Sequence, residues 1–535
     1  MAVITKVDTQ NFKNYDYFES FFIGLASIGT FLNFWSLFFP TNGTVLIILF
    51  VCSLAILYFF ENIRTSIKEV LWKLKEQKVF VLLTVLLISY FLFYSILKPA
   101  HFDTYLYHMS SIQWNEQYKV VPGLANMQER LGFNSSIFVL SAAFLYNSIL
   151  GQYIFIINAL SIAVFSIWLL KIVITKKNAL AIFALIFFYF FLVEYVQFTS
   201  SPNSDLLPNI FIGFLLISLF LNGGIKNKIL IYIVLPLFCI TLKISSAPVV
   251  FISIYALYQL DKSILNFLKK ITLYGSIFVL PWLIRNVILT GYLIYPLNEL
   301  DLFSFDWKIP EEKVEMVKNL IYAWARDYSK DYFTVMNMSF SEWFGIWWPR
   351  QLGINQVFFV IATFAPLLAS IYYFFNRKNF AQLIGLLIAF ACFLFWLKAP
   401  DFRFSYAPIL FLALFPILLL DPLFKYLSKA YKIILPLGIA IVFGLLVNDA
   451  NVHYKDAFFQ SEISERYIKP LDPSNYKINK RVKYKKKVYL SSSQKEFTFY
   501  GFFKDSPCFD QFPCAPRLDD FKMRGEDLDD GFMPE

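Results

Sequence analysis

Long apolar runs separated by short polar connections repeat along nearly the whole chain. A membrane span takes about 20 apolar residues. On that length, spans are expected at 17–39, 43–60, 79–97, 152–174, 179–196, 206–222, 229–242, 246–260, 271–289, 356–376, 380–396, 404–421 and 433–447. That makes about 13 transmembrane helices. The run 134–149 is short and broken by Ser141, Asn147 and Ser148, so it is expected to be re-entrant or interfacial. The first run is too long for a signal-peptide core and lacks a small-residue cleavage site, which makes it an uncleaved span. The expected fold is an all-α polytopic membrane protein.

Composition supports this: 58% of the 535 residues are hydrophobic and only 16% are charged, beyond what a soluble core needs. The formal charge of +10 lies in short basic clusters between apolar runs, the positive-inside pattern rather than a nucleic-acid-binding stripe. Clusters at Arg64–Lys78, Lys176 and Lys177, Lys226 and Lys228, Lys262–Lys270, Arg377 and Lys378, and Lys425–Lys432 fall on one side, expected to be cytoplasmic. Residues 98–133, 197–205, 290–355, 397–403 and the tail from Asn448 fall on the other. The N-terminus is then inside, the C-terminus outside, and the location a bacterial inner membrane.

Three parts are expected: two N-terminal helices and a cytoplasmic loop at 1–78, a transmembrane core at 79–447 with external loops 98–151 and 290–355, and an external C-terminal domain at 448–535. The tail carries seven basic residues between Lys477 and Lys487, which a translocated domain tolerates. KKKVYLSSS and EFTFYGFF alternate like short strands, so this domain is expected to be small and α+β or β-rich. Cys52, Cys239 and Cys392 lie in apolar runs and read as small buried hydrophobes. Cys508 and Cys514 are a disulfide candidate if the tail is in an oxidising compartment, and a reduced pair otherwise.

The polar segment His101–Ser136 sits between apolar runs and holds two of the three histidines. Asp103 precedes a stretch with helical spacing of Leu106, Met109 and Ile112, expected to lie along the membrane interface. Asp103 reads either as an N-cap or as a functional acid. Further along the outer face come Glu194, Asp205, Lys243, Arg285, Asp401 and Arg403. Each also has a plainer reading as a helix-start acid, a snorkelling lysine, an interfacial anchor or a local ion pair. Taken together, Asp103, Asp205 and Asp401 with Lys243, Arg285 and Arg403 form a set in which cations suit a phosphate and a carboxylate suits a hydroxyl proton.

This architecture resembles the GT-C superfamily of integral-membrane glycosyltransferases, which use polyprenyl-phosphate-linked sugars. Asp103 and Asp205 match that superfamily's loop acids if the first two spans are an N-terminal addition. The chain is also similar to a group of bacterial multispan proteins sharing D-T-x-x-Y-H at Asp103–His108, V-P-G-L-A-N at Val121–Asn126 and R-L-G-F-N-S-S at Arg130–Ser136. The GT-C resemblance implies transfer of a sugar from a polyprenyl-phosphate donor, in a membrane lipid setting, to a glycan, lipid or protein acceptor. Asp103 would then be the catalytic base. Lys243, Arg285 and Arg403 would hold the carrier phosphate, and Tyr107, His108, Arg130 and Asn134 would lie on the substrate side with Asp205 and Asp401. Asp103 is followed by Thr104 rather than a second acid, which favours metal-free chemistry over a divalent ion. A polysaccharide polymerase or ligase, a transporter, and a non-catalytic envelope subunit anchored through Trp343, Trp347 and Trp348 are the competing expectations. No Walker A, GxGxxG, HExxH or GxSxG pattern occurs.

Overall fold

The computed structural model describes residues 15–535 apart from 62, 66, 70–76, 96–98, 100, 146–153, 223, 226–227, 376–379, 421–427, 460–481, 490–495, 503–511 and 516–518. Helices dominate, and among the described residues strands occur only near the C-terminus. Among the described residues, four helices are long and apolar enough to cross a membrane: Lys78–Ser95, Ile156–Thr175, Ala179–Phe198 and Lys432–Asn451. Three bent pairs raise the number to at most seven, fewer than the thirteen expected.

Two effects account for most of the difference, and the expected span 17–39, seen as Tyr17–Trp35, is not among these spans. Five apolar helices, Leu206–Asn222, Ile229–Leu242, Ile244–Leu260, Phe380–Trp396 and Tyr406–Leu419, fall short of 18 residues. The expected spans 271–289 and 356–376 instead break into Ile264–Phe278 plus Leu280–Thr290, bent by 50°, and Gly353–Thr363 plus Ala365–Ile371, bent by 51°. Pro281 and Pro366 stand just inside the second member of each pair. There the missing N–H and the ring favour a new helix over continuation of the old one.

The packed centre is built from Ile156–Thr175, Ala179–Tyr195, Leu206–Asn222, Ile229–Leu242 and Tyr406–Leu419, whose side chains are buried almost all round. By contrast, Gly43–Phe59 is largely exposed. Cys52 lies on it and is exposed, unlike Cys239 and Cys392, which are buried as expected.

The two ends of the bundle differ in chemistry. At one end Asp16 caps helix Tyr17–Trp35 in a capping box with Glu19. Glu19 is buried and pairs with Lys228 at 2.6 Å, while Lys171 reaches Asp16 at 3.2 Å. Lys228 and Lys243 flank opposite ends of the same helix, so Lys243 belongs to the other end.

That other end is a thick polar layer made from loops distant in sequence. Asn126 donates to Trp307 O at 2.8 Å, Tyr295 to Glu129 O at 3.0 Å, and His101 N to Ser201 Oγ at 3.0 Å. Residues 512–515 and 519–535 join the same layer. Phe532 N donates to Pro122 O at 2.9 Å, and the Trp114 ring lies 4.7 Å from that of Phe512. Gly123, at φ +63°, allows this contact, because a Cβ there would fall 2.0 Å from Phe532 O.

The expected strands form β1 (Val482–Tyr489) and β2 (Glu496–Phe502), an antiparallel pair joined by β3 (Cys514–Ala515) in parallel. Two further strands, β4 (Phe521–Met523) and β5 (Phe532–Pro534), pair antiparallel. The expected boundary at 448 falls inside helix Ser428–Phe459. Cys514 is disulfide-bonded; Cys508 lies outside the described residues.

Candidate functional site

Four chain segments meet at one point in the polar layer: 101–108, 203–206, the break after Leu242, and 401–404. The first is helical as expected, but it is packed within the protein. Thr104–His108 is one π-helical turn that runs into the helix Met109–Gln117, and seven of the latter's nine residues are buried. Asp103 precedes this turn in helical geometry and makes no side-chain cap bond. The N-cap reading is therefore set aside, and the carboxylate is directed elsewhere. Asp205 is released by a different device. The Asn203 side chain accepts from the Asp205 and Leu206 amides at 2.7 and 3.1 Å, so the helix start is satisfied without Asp205.

Arg403 is the hub. It reaches Asp401 at 2.9 Å, Asp103 at 3.4 Å and Asp205 at 3.7 Å. Lys243 pairs with Asp205 and stands 3.8 Å from the centre of the Phe404 ring. Its ammonium is bound within the cluster and does not snorkel. Burial raises the Asp205 carboxyl's pKa, but Lys243 and Arg403 outweigh burial and hold it below the ordinary carboxylate value. Asp103 is 19% exposed, against 4% for Asp205. Of the two acids, Asp103 is the more accessible.

Two histidines back this cluster. His101 Nε2 lies 2.6 Å from an Arg403 amino nitrogen. A guanidinium keeps its protons, so Arg403 donates and the imidazole accepts in its neutral form. Burial lowers the His101 pKa below its ordinary value in spite of Asp103, in agreement with the neutral form. His108 stacks on His101 with centroids 5.8 Å apart, is also kept neutral by burial, and has no partner for either ring nitrogen among the described residues. With three carboxylates, two cations and neutral imidazoles, the cluster carries one surplus negative charge. That balance suits taking up a proton.

Asp103, Asp205, Lys243, Asp401 and Arg403 thus come together, while Arg285 and Asn134 lie apart. Tyr107 and His108 are buried, so they form the floor of the site and expose little surface to a ligand. Arg130 sits 3.8 Å from Glu129 and is 27% exposed. Arg285 and Asn134 bond to each other at 3.0 Å in a separate cluster. Trp343 and Trp347 are core residues rather than exposed anchors; Trp347 donates to Pro400 O at 2.7 Å and thereby supports the turn carrying Asp401.

Sequence reasoning passed over His101, Asn203 and Phe404 as members of the site. Only an Asx-type pattern of Asn203 two residues before Asp205 was there to be read. Among the described residues, no group of three or more His, Cys, Asp or Glu is arranged to hold a metal ion.

No curated protein and no solved structure matches the chain. Residues 3–410 match one family over more than half of the chain, from before the first described helix to the start of Tyr406–Leu419. All four segments of the cluster fall within that match, and the chain belongs to the family described as Domain of unknown function (DUF8201).

Proposed function

We propose that this protein is a membrane glycosyltransferase that moves a sugar from a polyprenyl-phosphate donor to a glycan, lipid or protein acceptor outside a bacterial inner membrane. Asp103 is the base. Its carboxylate takes the acceptor's hydroxyl proton as the acceptor oxygen bonds to the anomeric carbon. The bond from that carbon to the phosphate oxygen breaks, and the carrier phosphate leaves with the electron pair. Lys243 and Arg403 supply positive charge for the departing phosphate, and Asp205 and Asp401 hold those cations in place. Arg285 takes no part at this cluster. The chemistry so written uses no divalent ion.

The observation carrying this reading is a partly exposed carboxylate, free of any capping duty, beside Arg403, which shares Asp205 with a second cation, Lys243, from another segment. The test compares lipid-linked and surface glycans in cells with and without the protein, then in Asp103→Asn and Asp103→Ser strains. Equal loss in both variants at normal protein levels supports chemistry, since serine is a competent cap. Unchanged glycans and precursors in the Asp103→Asn strain would sink the proposal.

A further inference from the structure

Arg285, left out of the Asp103 cluster, lies on helix Leu280–Thr290 and is 2% exposed. Its guanidinium donates to Asn134 Oδ1 at 3.0 Å, Asn115 Oδ1 at 2.9 Å and Ser36 Oγ at 2.5 Å. All three acceptors are neutral, and Arg285 makes no ion pair among the described residues. Three bonds also leave two of its five N–H groups uncommitted. A buried cation normally finds an anion, because its lost hydration must be replaced.

The surroundings prepare a place for one. Arg285 lines a small cavity whose wall includes Lys119, Ser111, Trp114, Asn115 and Asn134, and no carboxylate. Lys119, half exposed, stands at its mouth, and among the described residues it pairs only with Asp529, at 4.0 Å. The Ser111 hydroxyl and the Trp114 indole nitrogen are buried and have no hydrogen-bond partner among the described residues. Two cations and two unused donor groups around one cavity call for an acceptor bearing negative charge.

We propose that this cavity is an oxyanion site for a phosphate group, separate from the Asp103 cluster. A guanidinium fork binds phosphate through parallel N–H groups, and Lys119 adds a point charge at the opening. The cavity is too small for a sugar ring, so it takes the phosphate head and leaves any substituent outside. Phe138 lines it and packs 5.1 Å from the His108 ring, so one aromatic layer divides the two sites. Ser135, also in the wall, donates to Leu242 O, the residue before Lys243. The inference holds whether or not Asp103 transfers a sugar.

The experiment measures saturable binding of radiolabelled inorganic phosphate to the full chain in detergent, with chloride present, and then competition by short-chain phosphatidic acid. Arg285→Gln is expected to abolish binding. Because that variant removes a buried group that also bonds three neighbours, Lys119→Ala and Ser111→Ala carry the test. Each is expected to weaken binding by roughly tenfold, the loss of one hydrogen bond to a charged partner. Displacement by phosphatidic acid identifies a lipid headgroup as the source, and phosphate binding without displacement identifies free phosphate; both support the site. No saturable phosphate binding, unaltered binding in Lys119→Ala, or equal occupancy by chloride overturns it. No glycan is measured, so this outcome is independent of the transferase proposal.

Discussion

Replacing Arg403 with glutamine removes the one group that touches Asp103, Asp205 and Asp401 together. The three contacts do not weigh equally. Asp401 is 36% exposed and only two residues away, so its pair contributes at the level of a surface bridge, about 0–1 kcal/mol. Asp205 is 4% exposed, and removing one partner of a buried pair costs about 3–5 kcal/mol. Lys243 stays with Asp205, which places the expected cost near the lower end, about 3 kcal/mol. Asp205→Asn in the same chain removes the charge that Arg403→Gln strands. The double variant should therefore lose less than the sum of the two single changes, by about 1–3 kcal/mol. The assay is a double-variant cycle by denaturant unfolding in detergent micelles, followed by tryptophan fluorescence. Costs that add to within about 0.5 kcal/mol would refute the claim that Arg403 and Asp205 are energetically one unit.

Other expectations follow from the same geometry. Asp103→Asn is expected to change stability by less than about 1 kcal/mol, since Asp103 caps nothing and is partly exposed, while activity is lost; unfolding and glycan profiles check the two halves. Acid should destabilise the protein in two stages. The folded state holds His101 and Asp205 below their ordinary values, so the unfolded chain takes up the proton first in both cases. Stability therefore falls below about pH 6.5 and again below about pH 4. His101→Gln should shrink the first stage in unfolding curves across pH, with the buried His108, held neutral as well, supplying the remainder. Gly123→Ala combines a left-handed backbone, worth about 1–2 kcal/mol, with a Cβ 2.0 Å from Phe532 O. It should release the C-terminal segment, read as faster limited proteolysis after residue 511; unchanged cleavage would refute that docking.

The pattern of apolar runs was enough to show a helical chain with long membrane-type segments and strands only in the tail, because period and length are local properties. The same pattern overcounted spans. Apolarity does not reveal that Pro281 and Pro366 restart the helix, or that Leu206–Asn222 and its neighbours end before 18 residues. Asp103, Asp205, Lys243, Asp401 and Arg403 were each visible as rare charges in apolar surroundings. Their partners were not.

Asn203, rather than Asp205, satisfies the helix start, and that depends on a loop conformation two residues long. Burial makes His101 a neutral acceptor for Arg403, and burial arises only when distant segments close over it. Arg285, grouped by sequence with the other cations, is carried by its helix to Asn134, Asn115 and Ser36 instead. Sequence by itself determined which residues carry charge into an apolar protein. Tertiary structure alone decided which charges neutralise each other and which one is left without a counterion, because Coulomb energy and desolvation depend on distance and burial, and neither is a property of the order of residues along the chain.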